Sequence, residues 1–222
     1  MSPSPSHVFF STTPAKPSAR RLSQLSEGAF DIGIGTRLQG WGYLPPGPGP
    51  IPSEGNWTDI ELLDDARVRF HRPLRIDLGG IAKGYAVDCA IAVLREAGIE
   101  DALVNAGGDL RVLGSPQQVH LRHPQNPAFS AHALSLCDGA LATSANYYSR
   151  RASASGEVSP LLDPRSRQPW LGDASVSVRA ADCMSADALT KVVLFAVPEV
   201  AGRVLEACDA QAYVQNPLEA AA

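Results

Sequence analysis

The run Ile76-Asp77-Leu78-Gly79-Gly80-Ile81-Ala82-Lys83-Gly84-Tyr85-Ala86, followed by Asn105-Ala106-Gly107-Gly108-Asp109, constrains the fold more than any other part of the chain. It reads as the end of a strand, a glycine turn, a helix, a second strand, and a second glycine turn closed by a carboxylate. Glycines let backbone N–H groups approach a ligand closely, and a helix start adds unpaired donors and the positive end of a dipole. Lys83 falls in the first helical turn, where that dipole disfavours a cation. Such a lysine is expected to face an anion, for instance a phosphate. The helix itself is predicted over residues 81–97, with Val87, Ile91 and Leu94 as an apolar stripe and Gly98 as its stop.

The remaining pattern indicates an α+β fold with a mixed or antiparallel sheet and packed helices. A helix is predicted over 18–26, ending near Gly28. Leu44-Pro45-Pro46-Gly47-Pro48-Gly49-Pro50 is a surface loop, because proline removes donors and fixes φ. Residues 60–63 and 68–70 form a strand pair around Asp64-Asp65. Residues 102–105 and 110–113 flank the second glycine turn as a hairpin. Short strands follow at 119–122, 133–136 and 140–143, the last two joined through Asp138-Gly139. Residues 175–179 alternate valine with polar residues, as a half-buried strand does. Ser185 is placed to cap a helix running to about 197, Pro198 to open another through 207, and 211–214 form a last strand. Residues 1–17, rich in Ser and Pro, read as a flexible arm in which Val8-Phe9-Phe10 can add a short strand; residues 18–222 read as one domain.

A formal net charge of -4 gives no general attraction to nucleic acid, and no basic cluster carries interleaved aromatics. No apolar run approaches the ~18 residues of a membrane span. The cysteines Cys89, Cys137, Cys183 and Cys208 lack C-x-x-C spacing and read as reduced, mostly buried thiols. The first residues show neither a positively charged start followed by an apolar stretch nor a lipobox cysteine, so the sequence as it stands points to the cytoplasm; with a genuine N-terminus missing, it would point to the periplasm.

The two glycine motifs also carry a resemblance. They look like the D-L-G-x-I-A-K-G-Y-A and N-A-G-G-D signatures of the ApbE-type FAD:protein FMN transferases. Three further stretches fit in order: Gly28-Ala29-Phe30-Asp31 with Trp41-Gly42 after it, Ala142-Thr143-Ser144, and Ala186-Asp187-Ala188-Leu189. The resemblance covers roughly residues 18–213, and family members carry a longer portion ahead of G-A-F-D. It implies an ApbE-like, T-fold-like architecture. It also implies transfer of FMN from FAD to a Ser or Thr hydroxyl of a flavin-acceptor protein, with magnesium assistance; the acceptor hydroxyl is the nucleophile, so the chain needs none of its own. By the same resemblance Ala29, Phe30, Asp31, Asp77, Lys83 and the segment near Leu161 bind the flavin nucleotide. The Gly80 carbonyl, Asp187 and Thr190 would hold Mg2+, a hard cation suited to oxygen ligands and to polarising a pyrophosphate.

Two positions depart from the family pattern. Lys191 stands where a threonine is usual, and Pro160 stands where the family's S-H-I-I-D-P-R has its histidine, although Asp163-Pro164-Arg165 is kept. Proline exchanges no proton, and an ammonium ligates no cation but can occupy a cation's place. The alternative reading is therefore a degenerate member that binds flavin or a nucleotide without transferring it. Each residue also has a plainer role: core packing for Phe30, capping of the following helix for Asp77, turn chemistry for Asp109. Asp187 and Lys191 would otherwise be an exposed i, i+4 pair worth only ~0.3–0.5 kcal/mol. Helical spacing puts the Lys191 ammonium beside the Asp187 carboxylate.

Overall fold

The structure, a computed structural model, describes residues 7–8, 15–63, 67–126, 130–146, 148–154 and 156–216. Its chain order is β1 (His7–Val8), α1 (Ala15–Leu25), α2 (Gly35–Gly40), a 3-10 turn (Trp57–Asp59), β2 (Ile60–Leu62), β3 (Val68–Phe70), α3 (Ala82–Glu96), β4 (Ala102–Ala106), β5 (Asp109–Leu113), β6 (Gln117–Arg122), β7 (Ser130–Leu136), β8 (Ala140–Ala145), β9 (Arg151–Ser153), β10 (Gly156–Val158), β11 (Ser175–Ala180), α4 (Cys183–Phe195), α5 (Pro198–Ala207) and β12 (Gln211–Gln215). The fold is α+β. The central sheet has five strands in the order β12-β11-β8-β5-β4, every neighbouring pair antiparallel.

Local chemistry accounts for the elements that frame the site. The β4–β5 hairpin turns through Gly107 and Gly108, at φ 69° and 104°, values that L side chains rarely adopt. The Asn105 side chain accepts the Gly108 N–H at 2.9 Å and locks the turn. Helix α3 ends at Gly98, at φ 79°. It crosses α4 so closely that a Cβ on Gly84 would lie 2.2 Å from the Cys183 carbonyl oxygen. That crossing requires glycine.

Helices α3 and α4 cover one face of the sheet. The larger core cluster joins Leu22 of α1, Leu189 and Val192 of α4, Val204 of α5, and Val176 and Val178 of β11. The β6–β7 ribbon covers the other face, packing Val119, Leu121 and Leu136 on Leu110, Val112 and Leu141. Among the described residues, no helix is long and apolar enough to cross a membrane.

Several expectations need correction. β7 does not pair with β8: it pairs with β6, while β8 joins β5 and β11 in the central sheet, so Asp138-Gly139 is a crossover between sheets rather than a hairpin turn. β11 is buried on both faces, not half-buried. It lies inside the sheet, and its polar Ser177 is satisfied by the Thr143 hydroxyl at 2.8 Å. Asp182, not Ser185, caps α4, its carboxylate accepting the Ser185 N–H at 2.7 Å. Cys89 and Cys137 are exposed, although Cys183 is buried and none of the four forms a disulfide. His7–Val8 supply the short N-terminal strand, paired with β3. Phe9 and Phe10, most of the arm, and the Asp64-Asp65 turn lie outside the described residues.

Candidate functional site

A cavity of about 440 Å³ opens where the N-terminus of α3 meets α4 and the loops after α1 and β10. It falls within the range usual for small-molecule sites. Every residue assigned to the flavin nucleotide lines it: Ala29, Phe30, Asp31, Asp77, Lys83 and Leu161. Gly80 lines it too, as do Pro160 and Lys191. Asp187 and Thr190 sit beneath it in α4, almost fully buried.

The loop from Ala29 to Ile34 forms one wall. Phe30 belongs to the larger core cluster and also lines the cavity, so packing and ligand-facing roles coincide in one ring. The Asp31 carboxylate accepts the Gly33 N–H at 2.6 Å and faces Arg167 at 3.5 Å. Burial raises its pKa, opposed by the Gly33 N–H and by Arg167. Backbone bonds Asp77 N–H to Ile32 oxygen at 2.8 Å and Gly35 N–H to Arg75 oxygen at 3.1 Å fasten this wall to the glycine turn.

Asp77 is not the cap of α3. Its carboxyl meets the Gly79 N–H, and burial raises its pKa against that bond and the Lys191 charge. The residue at the cap position, Ile81, offers no side-chain bond. Asp187 reaches across from α4 instead and accepts the Gly84 N–H at 3.4 Å, where the helix dipole favours a carboxylate.

Lys83 faces anions, as its position predicts, but they are the protein's own. Its ammonium bonds Asp109, which is 2% exposed, and Asp187 at 3.2 Å, while its side chain remains half exposed toward the cavity. Desolvation alone would lower the Lys83 pKa; the two carboxylates outweigh it and raise it. Burial raises the Asp109 pKa, and the nearby Asp187 charge adds to that. At Asp187, burial pushes the pKa up, but Lys191 and Lys83 together hold it below the usual value. The Asp187–Lys191 pair is therefore no exposed helical pair: the carboxylate is 1% exposed and the ammonium side chain 14%.

The residues expected to hold magnesium do not fit a divalent cation. One carboxylate oxygen of Asp187 takes the Lys191 ammonium, and the other takes Lys83 and the Gly84 N–H. Its carbonyl accepts both Lys191 at 2.9 Å and the Thr190 hydroxyl at 2.7 Å. Thr190 is 0% exposed and shares a second bond with Ser144 at 2.7 Å. Gly80 has the Lys191 stem beside it, 3.4 Å from where a Cβ would stand. Among the described residues, no cluster of three or more His, Cys, Asp or Glu is arranged to hold a metal. His120 and His123 engage Ser130 and the Gln125 N–H.

The sequence shows Asp109 only as the carboxylate that closes the second glycine turn and gives no sign of Arg167. Both depend on long-range placement. Asp109 reaches Lys83 only because β5 lies beside α3, and Arg167 reaches Asp31 and the Gly55 carbonyl, at 2.7 Å, across 112 residues or more. Arg167 adopts a left-handed φ of 59°, uncommon for a residue other than glycine, so the sequence marks this turn only weakly.

Comparison with known proteins bears on the family and the fold. The sequence model of the ApbE family matches residues 12–214. An FAD:protein FMN transferase of Rhodobacter capsulatus is 35% identical over 197 residues, covering 81% of this chain and 37% of the relative. One from Vibrio cholerae is 31% identical over 189 residues, covering 77% of this chain and 56% of the relative. The chain thus spans well under two thirds of the length of these relatives. Among solved structures, the ApbE protein of Thermotoga maritima superposes with a TM-score of 0.79 at 26% identity, over 96% of this chain and 78% of that one. The flavinyl transferase ApbE of Pseudomonas stutzeri gives 0.76 at 26% identity, over 96% and 72%. With the match running from the first described helix to the last strand, and the first glycine turn and Lys83 lining one cavity above Asp187, the chain belongs to the ApbE family.

Proposed function

We propose that this chain binds FAD in the 440 Å³ cavity and transfers its FMN moiety to a Ser or Thr hydroxyl of a partner protein. The observation that carries the reading is the convergence of a glycine turn, two ammonium groups and a buried aromatic edge on one cavity. The names of the relatives point the same way. In the transfer, the acceptor oxygen bonds to the FMN phosphorus, the bond from that phosphorus to the bridging oxygen breaks, and AMP leaves. The hydroxyl proton passes to a base.

The chain's own residues supply positioning and charge. Gly79 and Gly80 leave room for a close backbone approach to the pyrophosphate. Lys83 and Lys191 face its negative charge. Phe30 offers an apolar surface to the flavin side. Pro160 takes no proton. Burial raises the basicity of both carboxyls lining the cavity. Asp31 carries an ion pair with Arg167, whereas Asp77 meets the Gly79 N–H and feels the Lys191 charge without an ion pair among the described residues, so Asp77 is assigned as the proton acceptor. The family resemblance also implies magnesium at Gly80, Asp187 and Thr190; because those residues do not fit it, no step here runs through the metal.

The test is incubation of the protein with FAD and a flavin-acceptor protein, read by in-gel flavin fluorescence and by the mass of the acceptor. A covalent FMN adduct on a Ser or Thr is expected. Pro160 favours the second reading, flavin binding without transfer, which the same assay detects as bound flavin and an unlabelled acceptor.

A further inference from the structure

We propose that the Lys191 ammonium permanently holds the cation position at Asp187, so that this cavity takes its pyrophosphate-bearing ligand without a divalent metal. The inference rests on the flavin-nucleotide reading of the cavity and concerns how its charge is met.

Three observations carry it. First, Lys191 binds Asp187 the way a chelated cation would: its ammonium touches both a carboxylate oxygen and the carbonyl oxygen of the same residue. Hard oxygens paired in this manner are what a divalent cation seeks. Second, no oxygen of Asp187 is left over. Lys83, the Gly84 N–H and the Thr190 hydroxyl take the rest, and Thr190 is closed off by Ser144. A metal would have to displace an ammonium whose side chain is only 14% exposed and whose stem packs beside Gly80. Third, the two buried carboxylates at the cation position are offset without a metal. Lys83 and Lys191 offset Asp109 and Asp187, and both lysines line the cavity. With threonine at 191, the same site would carry an uncompensated buried carboxylate, which is costly unless a cation arrives from solution.

The test uses metal-stripped protein, wild type and Lys191→Thr, in two independent readouts. Without flavin, Mn2+ binding is followed by loss of the free-ion EPR signal. Wild type is expected to bind none at this site, and Lys191→Thr to bind one equivalent. With FAD, affinity is measured by flavin fluorescence in EDTA and then in excess Mg2+. Wild-type affinity is expected to stay within about twofold between the two conditions, whereas Lys191→Thr should bind at least about tenfold more tightly with Mg2+. A wild-type protein that takes up one Mn2+, and loses it on Asp187→Asn, overturns the proposal. So does a wild-type FAD affinity that rises tenfold with Mg2+. If neither protein binds FAD, the flavin reading fails, and the Mn2+ titration still decides the place of Lys191. Should Lys191→Thr not fold, the wild-type arms decide it alone.

Discussion

Lys83 is held between two buried carboxylates while half of its side chain stays open to the cavity. Its position in the first helical turn suggests that removing it costs nothing locally, but the structure reverses that expectation. Lys83→Ala strands Asp109 without its ammonium, and an unpaired buried carboxylate costs about 1–3 kcal/mol where solvent partly reaches it. Urea denaturation should show that loss together with weaker FAD binding. Asp77 behaves oppositely. Because its folded-state pKa is raised, the native protein binds more protons than the unfolded chain between the ordinary carboxylate value and the raised one. Stability at this residue therefore falls as pH rises through that window. Asp77→Asn should raise the melting temperature at neutral pH, with the gain fading as pH drops through the window. The same change should slow transfer by about 10²–10⁴-fold, as loss of an acid–base group does, while FAD still binds. At position 160 the expectation is a gain: Pro160→His should raise the rate of FMN attachment by up to about 10²-fold. An unchanged rate would mean that Asp77 alone takes the proton. The Asp187–Lys191 contact was legible in the sequence because four residues on a helix share a face. The Lys83–Asp109 contact was not, because it depends on where the sheet sets β5.

Helices α3 and α4 together build the floor of the site, and their crossing has a sharp requirement. A methyl group on Gly84 would meet the Cys183 carbonyl oxygen at 2.2 Å and the Met184 Cα at 2.8 Å, both backbone atoms that cannot swing aside. Asp88 of α3 fixes the same junction by accepting the Cys183 and Met184 N–H groups at 2.9 and 2.8 Å. Gly84→Ala should therefore cost about 3 kcal/mol or more and loosen Lys83 and Asp187 together. Gly202 of α5 is the control, since a Cβ there meets nothing within 4 Å. Gly202→Ala should stabilise by about 0.4–1 kcal/mol through helix propensity and a less flexible unfolded chain. Denaturation midpoints of the two variants, moving in opposite directions, test the argument. Most of these elements could be read from periodicity, glycine stops and Pro198. Pairing partners could not: the Asp138-Gly139 step looks like a hairpin locally, and only the competition of β5 and β11 for β8 sends it elsewhere. Nor could the burial of Ser175 and Ser177 be read from alternation, since β11 is covered on both faces.

The cavity draws on stretches around Phe30, Asp77, Ser144, Leu161 and Lys191, which span most of the chain. Nothing in local sequence places these stretches together; only the ordered family motifs made the site legible before the fold was known. The arrangement has a thermodynamic consequence. A ligand that binds only the native state stabilises it by mass action, by about 2.7 kcal/mol at a hundred times its dissociation constant. The cavity has walls from the loop after α1, the start of α3, β8, the loop after β10 and α4, so FAD bound there as proposed would distribute its binding energy over all of them. Saturating FAD should raise the melting temperature of the whole molecule in one transition. It should also slow amide hydrogen exchange at Asp77, at Leu161 and in α4 together, rather than in one wall alone. Protection confined to the glycine turn would mean that only the phosphates are held. Protection confined to the Phe30 and Leu161 walls would mean that the flavin ring binds without engaging Lys83 and Lys191. Either result would separate binding of a fragment from binding of the dinucleotide, and transfer of FMN requires the dinucleotide.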